Sequence, residues 1–163
     1  MSEEKKESII KEQARTKPKI EEIIPEYLNG ESRQSLVDLL EFCRANGIKY
    51  SWSATNIWKL QLKGKTIGMI YVGKYPCQRD IITKNWWCTH IPVFEEVIIK
   101  ENLTEVIHRN VLPCAHGNKS CGSGKTETIF GKEFHGVHGV LFKNPDTETL
   151  DCIQKLLEYR IKN

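Results

Sequence analysis

No apolar run in this sequence approaches the roughly 18 to 20 residues that a membrane-crossing helix needs. The N-terminus, "MSEEKKESIIKEQARTKPK", is charged throughout and has no apolar stretch of the kind that opens a secretory signal. Both absences lead us to expect a cytoplasmic protein with no membrane partner. There is no Cys-x-x-Cys pair, which excludes the ordinary zinc-ribbon spacing. Internal repeats and low-complexity tracts are also missing, which removes solenoids and extended linkers from consideration. Acidic residues are scarce in one segment: between Ala45 and His90 only Asp80 opposes Lys49, Lys59, Lys63, Lys65, Lys74, Arg79 and Lys84. That segment therefore has a surplus of six positive charges. The whole chain nets +3, so the remainder carries about −3.

What is present is a globular composition of 163 residues, 39% hydrophobic and 28% charged, enough for one domain with a real core. Six cysteines in a reducing compartment read as free, buried or metal-bound thiols rather than as a disulfide framework. The basic segment also holds Tyr50, Trp52, Trp58, Tyr71, Tyr75, Trp86 and Trp87. Basic and aromatic residues together suit an anionic ligand or a nucleic acid. They equally suit an antiparallel sheet with one wet face, because strands favour aromatics and exposed faces favour lysine.

Residues 1–24 alternate Glu and Lys with few apolar anchors, and Pro18 and Pro25 interrupt any long helix; they are expected to be a charged, mobile segment ahead of a single domain over 25–163. Leu36, Leu39, Leu40 and Cys43 recur at helical spacing, and Asn46-Gly47 is a good stop. In "NIWKLQLKGKTIGMIYVGK", Trp58, Leu60 and Leu62 alternate with Lys59, Gln61 and Lys63, which predicts a hairpin with a buried face and a basic face. Ile67, Met69 and Tyr71 are expected to line the buried face of the returning strand. "KYSWS" and "QRDIIT" read as neighbouring strands. Ile99, Leu103, Val106 and Ile107 predict an apolar helix face, in a segment that Asn102 could break in two. "HGVLF" reads as a last strand. "NPDTETLDCIQKLLEYRIKN" predicts a closing helix with Asn144 as cap, Pro145 in its first turn, and Leu150, Ile153 and Leu157 inward. The sum is an α+β fold, a small antiparallel sheet of three to five strands packed with about three helices.

The chemistry concentrates in "LPCAHGNKSCGSGKTETIFGKEFHGVHGVLF", residues 112–142. Its "GSGKT" suggests a phosphate loop, but such a loop needs Gly five residues before Gly124, and that position is Lys119. The β-prone "TETIFGKEF" follows where a helix should open. The stretch is better read as a thiol-and-imidazole site. Cys114 and Cys121 with His116 between them, then His135 and His138, supply the soft sulfur and imidazole ligands that zinc favours. Cys114, Cys121 and His138 are the expected core ligands, with His116 or His135 as the fourth. Cys88-Thr89-His90 repeats the Cys-x-His spacing. A Cys114–Cys121 redox pair and a thiol-dependent enzyme with His116 or His135 as base remain open alternatives. So does plain burial, because a free Cys is commonly a small hydrophobe. For a ligand cleft the candidates are Trp58, Tyr71, Trp86, Trp87 and Glu96. Successive strand side chains point opposite ways, so one of Trp86 and Trp87 is expected to be exposed or to line a cavity.

"TIFGKEFHGVHGVLFKNPDTETLDCIQKLLEYR" resembles the C-terminal signature of a family of small uncharacterised bacterial proteins, in which a Cys-containing loop leads to "FGKEF", then "F-x-NPD" and a closing helix. "WKLQLKGKTIGMIYVGK" is similar to the sheet of that family. The resemblance spans residues 25–163 and implies a bacterial protein, with no family activity to carry over; the residues themselves lead us to expect a non-catalytic binding domain. It places a Cys in many members where His138 stands here, an exchange that suits a zinc ligand. More distantly, the layout is similar to gyrase-inhibitor-like small-molecule-binding domains. The expected partners are a small molecule or, through the basic sheet at 49–84, a nucleic acid. No residue pattern specifies an oligomeric state.

Overall fold

The computed structural model describes residues 2–76, 82–113 and 126–163. The chain begins with α1 (Glu3–Thr16), α2 (Ile20–Tyr27) and α3 (Gly30–Ala45). Four strands follow: β1 (Lys49–Ala54), β2 (Ile57–Leu62), β3 (Lys65–Lys74) and β4 (Ile82–Thr89). Then come α4 (Glu95–Lys100), α5 (Thr104–Arg109), β5 (Val111–Pro113), β6 (Thr126–Ile129), β7 (Lys132–His135), β8 (Val137–Lys143) and α6 (Thr147–Lys162). The main sheet runs β1-β2-β3-β4-β8-β5 with every neighbour antiparallel, and β6–β7 is a separate hairpin. The fold is α+β, with one more strand in the sheet and more, shorter helices than the sequence pattern suggested.

Strand alternation puts Trp58, Leu60, Ile70, Val72, Trp86, Cys88 and Phe142 on one face, where they form one core with the apolar residues of α2 to α6. In α3, Leu36, Leu39, Leu40 and Cys43 are buried as their spacing predicts. Ile48 N–H donates to the Cys43 carbonyl at 2.9 Å past Gly47, whose φ of 70° closes the helix. The β2–β3 turn has Lys63 at φ 48° and Gly64 at φ 80°, both left-handed as a two-residue hairpin turn requires. Lys63 therefore lies in the turn rather than in a row with Lys59 and Gln61.

A register shift between Leu60 and Gln61 changes the returning strand. Leu60 opposes Gly68 and Trp58 opposes Ile70, so Ile67 joins the core while Met69 and Tyr71 turn to the second face. A β-bulge inserts one residue and inverts every later side chain, which is why the expected Ile67-Met69-Tyr71 row does not form. The helix predicted from Ile99, Leu103, Val106 and Ile107 breaks at Asn102, at φ 55°, into α4 and α5. Ile99 is 64% exposed, and Val97 and Ile98 face inward in its place.

The boundary expected between residues 24 and 25 falls inside α2, whose Ile20, Ile23 and Ile24 are core residues. Helix α1 is fastened by a buried amide pair. Gln13 Nε2 donates to Asn56 Oδ1 at 2.6 Å, and Asn56 N–H donates to Gln13 Oε1 at 2.9 Å. Asn144 is not the cap of α6. Asp146 takes that role, accepting from Thr149 N–H at 2.8 Å, with Pro145 just outside the helix. Asn144 instead accepts from Trp86 N–H at 2.9 Å and from the Ser32 hydroxyl at 3.2 Å, joining β4, α3 and the start of α6.

Candidate functional site

Cys114, His116 and Cys121 lie outside the described residues, as does the side chain of His138. The strands on either side of them are described, and their registers converge. Pro113, the last residue before Cys114, pairs with Val137, the residue before His138. Thr126, the first residue of β6, pairs with His135. Only Gly136, at φ 60°, separates β7 from β8. Both ends of the cysteine-bearing segment thus meet the short stretch that carries His135 and His138. His135 is exposed, with its Nδ1 at 2.7 Å from the Thr126 hydroxyl. Among the described residues, no group of three or more His, Cys, Asp or Glu side chains is arranged to hold a metal ion.

His108 is occupied elsewhere: its Nε2 is 2.8 Å from the Ile129 carbonyl and its ring lies 5.5 Å from that of Phe134, which ties α5 to the β6–β7 hairpin. Cys43, Cys88 and Cys152 are free, buried thiols. Burial pushes Cys43 up to about 12 and Cys152 up to about 11, the latter with a further push from Asp151. Burial, helped by Cys43, raises Cys88 as well. None of the three is a candidate thiolate, since nucleophilic cysteines have depressed values and access to solvent. The Cys88-Thr89-His90 repeat of the loop spacing splits apart. Cys88 points into the core, while His90 is exposed at φ 58°, with Nδ1 at 2.7 Å from the Thr89 hydroxyl.

The five residues expected to share an aromatic cleft do not meet in one. Trp58 and Trp86, 1% and 0% exposed, belong to the core; their indole N–H groups donate to the Pro18 carbonyl at 3.1 Å and the Ser35 hydroxyl at 3.3 Å. Tyr71 and Trp87 oppose each other on the second face, where Tyr75 meets Trp87 edge-on at 5.4 Å. Glu96 is exposed on α4 and accepts a hydrogen bond from Tyr159, whose ring packs against Phe94. Trp86 and Trp87 face opposite sides, but neither is exposed, against the expectation: they are 0% and 2% exposed, because Tyr71 and Tyr75 pack over Trp87 on the second face. Lys49 and Lys59 share the second face with Ser51 and Gln61, so the basic residues and the core tryptophans lie on different faces.

Among the described residues, two of the clefts adjoin the sheet. One, of about 310 Å³, lies on the second face against Tyr71, Thr89, His90, Ile91, Val93 and Leu141. The other, of about 480 Å³, lies where the α1–α2 junction crosses β1 and is lined by Lys17, Lys19, Glu21, Tyr50, Trp52 and Trp58. The aromatic members of this second cleft stood out in the sequence. Its basic rim did not, because nothing local joins Lys17 and Lys19 to a strand more than thirty residues away. The chain matches no protein-family model, no curated protein and no solved structure, so the meaning of these sites rests on the arrangement of its own residues.

Proposed function

We propose that the protein is a non-catalytic binding domain organised around a zinc site, with Cys114, Cys121 and His138 as ligands and His135 or His116 as the fourth. One observation carries this reading: the Pro113–Val137 and Thr126–His135 pairings bring both ends of the cysteine-bearing segment to the stretch holding the two histidines. The Thr126 contact supports His135 in particular. With Nδ1 donating to the hydroxyl, Nε2 is the nitrogen left for a metal, which is the arrangement an outer partner gives a ligating imidazole. Thiolate and imidazole donors fit zinc better than magnesium or calcium, which prefer oxygen. Such a closed four-ligand site would be structural.

The test is zinc per chain in protein purified without an affinity tag or chelator, together with its melting temperature. About one zinc is expected, since a closed tetrahedral site holds one ion. Cys121→Ser and His138→Ala should lower both zinc content and melting temperature, because metal bound to the folded form adds stability. Cys43→Ser should lower the melting temperature alone, and His108→Ala should keep its zinc. Zinc near zero in the native protein, with Cys114 and Cys121 titrating freely, would refute the reading.

A further inference from the structure

The cleft between the α1–α2 junction and the edge strand β1 lies away from the cysteine segment and is built from described residues throughout. Lys17 ends α1 in the left-handed conformation, at φ 47°, and Pro18 follows with its carbonyl held by the Trp58 indole at 3.1 Å. That bond carries the Lys17-Pro18-Lys19 bridge across the core face beside β1. Tyr50 and Trp52, both half-buried, form the floor with Trp58, and they lie on the same face because Tyr50 opposes Leu60 and Trp52 opposes Trp58. The volume of about 480 Å³ suits a small organic molecule.

Two further features give the chemistry of the occupant. The first is charge. Lys17 and Lys19 form no side-chain ion pair among the described residues, whereas the acids nearby are already engaged. Glu21 accepts from the Tyr50 hydroxyl at 2.6 Å and lies 3.9 Å from the Arg44 guanidinium. Glu22 accepts from the backbone N–H of Lys19 at 3.0 Å. The rim therefore offers two uncommitted cations to a ligand. The second is the Trp52 indole N–H, the one buried side-chain polar group among the described residues without a hydrogen-bond partner. A buried donor without an acceptor is uncommon in folded proteins and calls for an explanation.

We infer that this cleft binds a small planar aromatic anion, its ring against Tyr50 and Trp52 and its acidic group between Lys17 and Lys19. An oxygen borne by the ring or its acidic group supplies the acceptor that the Trp52 indole lacks, after a small turn of that half-buried side chain. The inference is independent of the zinc site, since none of the cleft residues belongs to it.

The test compares 8-anilinonaphthalene-1-sulfonate with its uncharged counterpart N-phenyl-1-naphthylamine by fluorescence titration. The sulfonate should bind saturably, and more weakly as sodium chloride is added. Lys17→Gln/Lys19→Gln should weaken sulfonate binding about tenfold and leave the uncharged ring within about twofold, because only the charge contribution is removed. Trp52→Leu should weaken both probes. Lys100→Gln/Lys162→Gln, on the far helices, serves as the control and should change neither. Absence of saturable sulfonate binding, or sulfonate binding that survives the paired lysine substitution unchanged while the variant melts like the parent, overturns the proposal.

Discussion

At the scale of single residues, burial sorts chemically similar side chains into different roles. Trp58 and Lys59 are sequence neighbours on opposite faces of β2, one closed into the core and the other partly in solvent. Trp58→Ala removes a large packed ring and the Pro18 hydrogen bond, and should cost about 3 to 5 kcal/mol by chemical denaturation. Lys59→Ala should cost under about 0.5 kcal/mol. Equal losses would mean that the faces are reversed. The thiols divide in the same way. Cys43, raised by burial from 9.0 to about 12, stays protonated in the native state while an unfolded chain ionises. The native state then holds the extra proton, so its stability should fall as pH rises from 9.0 toward 12. Replacing Cys43 with Ala should flatten that part of the curve. At pH 8 a disulfide reagent should leave Cys43, Cys88 and Cys152 untouched until denaturant is added; rapid native labelling of all three would contradict their burial.

At the scale of elements, the docking of α1 depends on polar rather than apolar contacts. Gln13 and Asn56 exchange two hydrogen bonds, and Asn56, at φ 59°, also donates to the Val72 carbonyl at 2.8 Å. Gln13→Ala leaves the Asn56 carbonyl and backbone N–H short of partners in a buried place, which should cost about 2 to 3 kcal/mol. The same substitution should speed hydrogen exchange across α1 while leaving α6 protected. Unchanged exchange in α1 would show that the amide pair does not fasten it. This docking could not be read from sequence, because a Gln in a charged helix and an Asn in a distant turn leave no periodic trace. Helices α3 and α6 were legible for the opposite reason: their apolar residues recur at helical spacing and those positions are buried. The β2 pattern was legible too, as far as the bulge at Leu60–Gln61. Beyond it "IGMIYVG" offers apolar residues of both parities, and alternation alone cannot choose between them. Asn144 precedes Pro145 and so resembles a cap. Its backbone is left-handed, at φ 38°, and its side chain instead accepts from Trp86 and Ser32 and donates to Asn85 Oδ1, linking β4 with α3.

At the scale of the whole molecule, one sheet separates two environments. Helices α2 to α6 bury one face in a continuous core, and a smaller apolar layer on the other face includes Tyr71, Trp87 and Leu141. No helix of the described residues is long and apolar enough to cross a membrane. The aromatic cleft read from composition dissolves into this two-sided arrangement, and Glu96 goes to the helical layer with Tyr159. Near Gly136 the β5–β8 and β6–β7 pairings set Pro113 opposite Val137 and Thr126 opposite His135. Local spacing could suggest the candidate ligands but not the pairing of Pro113 with Val137, which lies 24 positions on. The proposed zinc site stands or falls on whether the native protein binds zinc and through which atoms. X-ray absorption at the zinc edge measures that shell directly. The account predicts two sulfurs at about 2.3 Å and two imidazole nitrogens at about 2.0 to 2.1 Å, with one sulfur lost in Cys121→Ser. A shell of oxygen and nitrogen alone, or no bound zinc to measure, would contradict it.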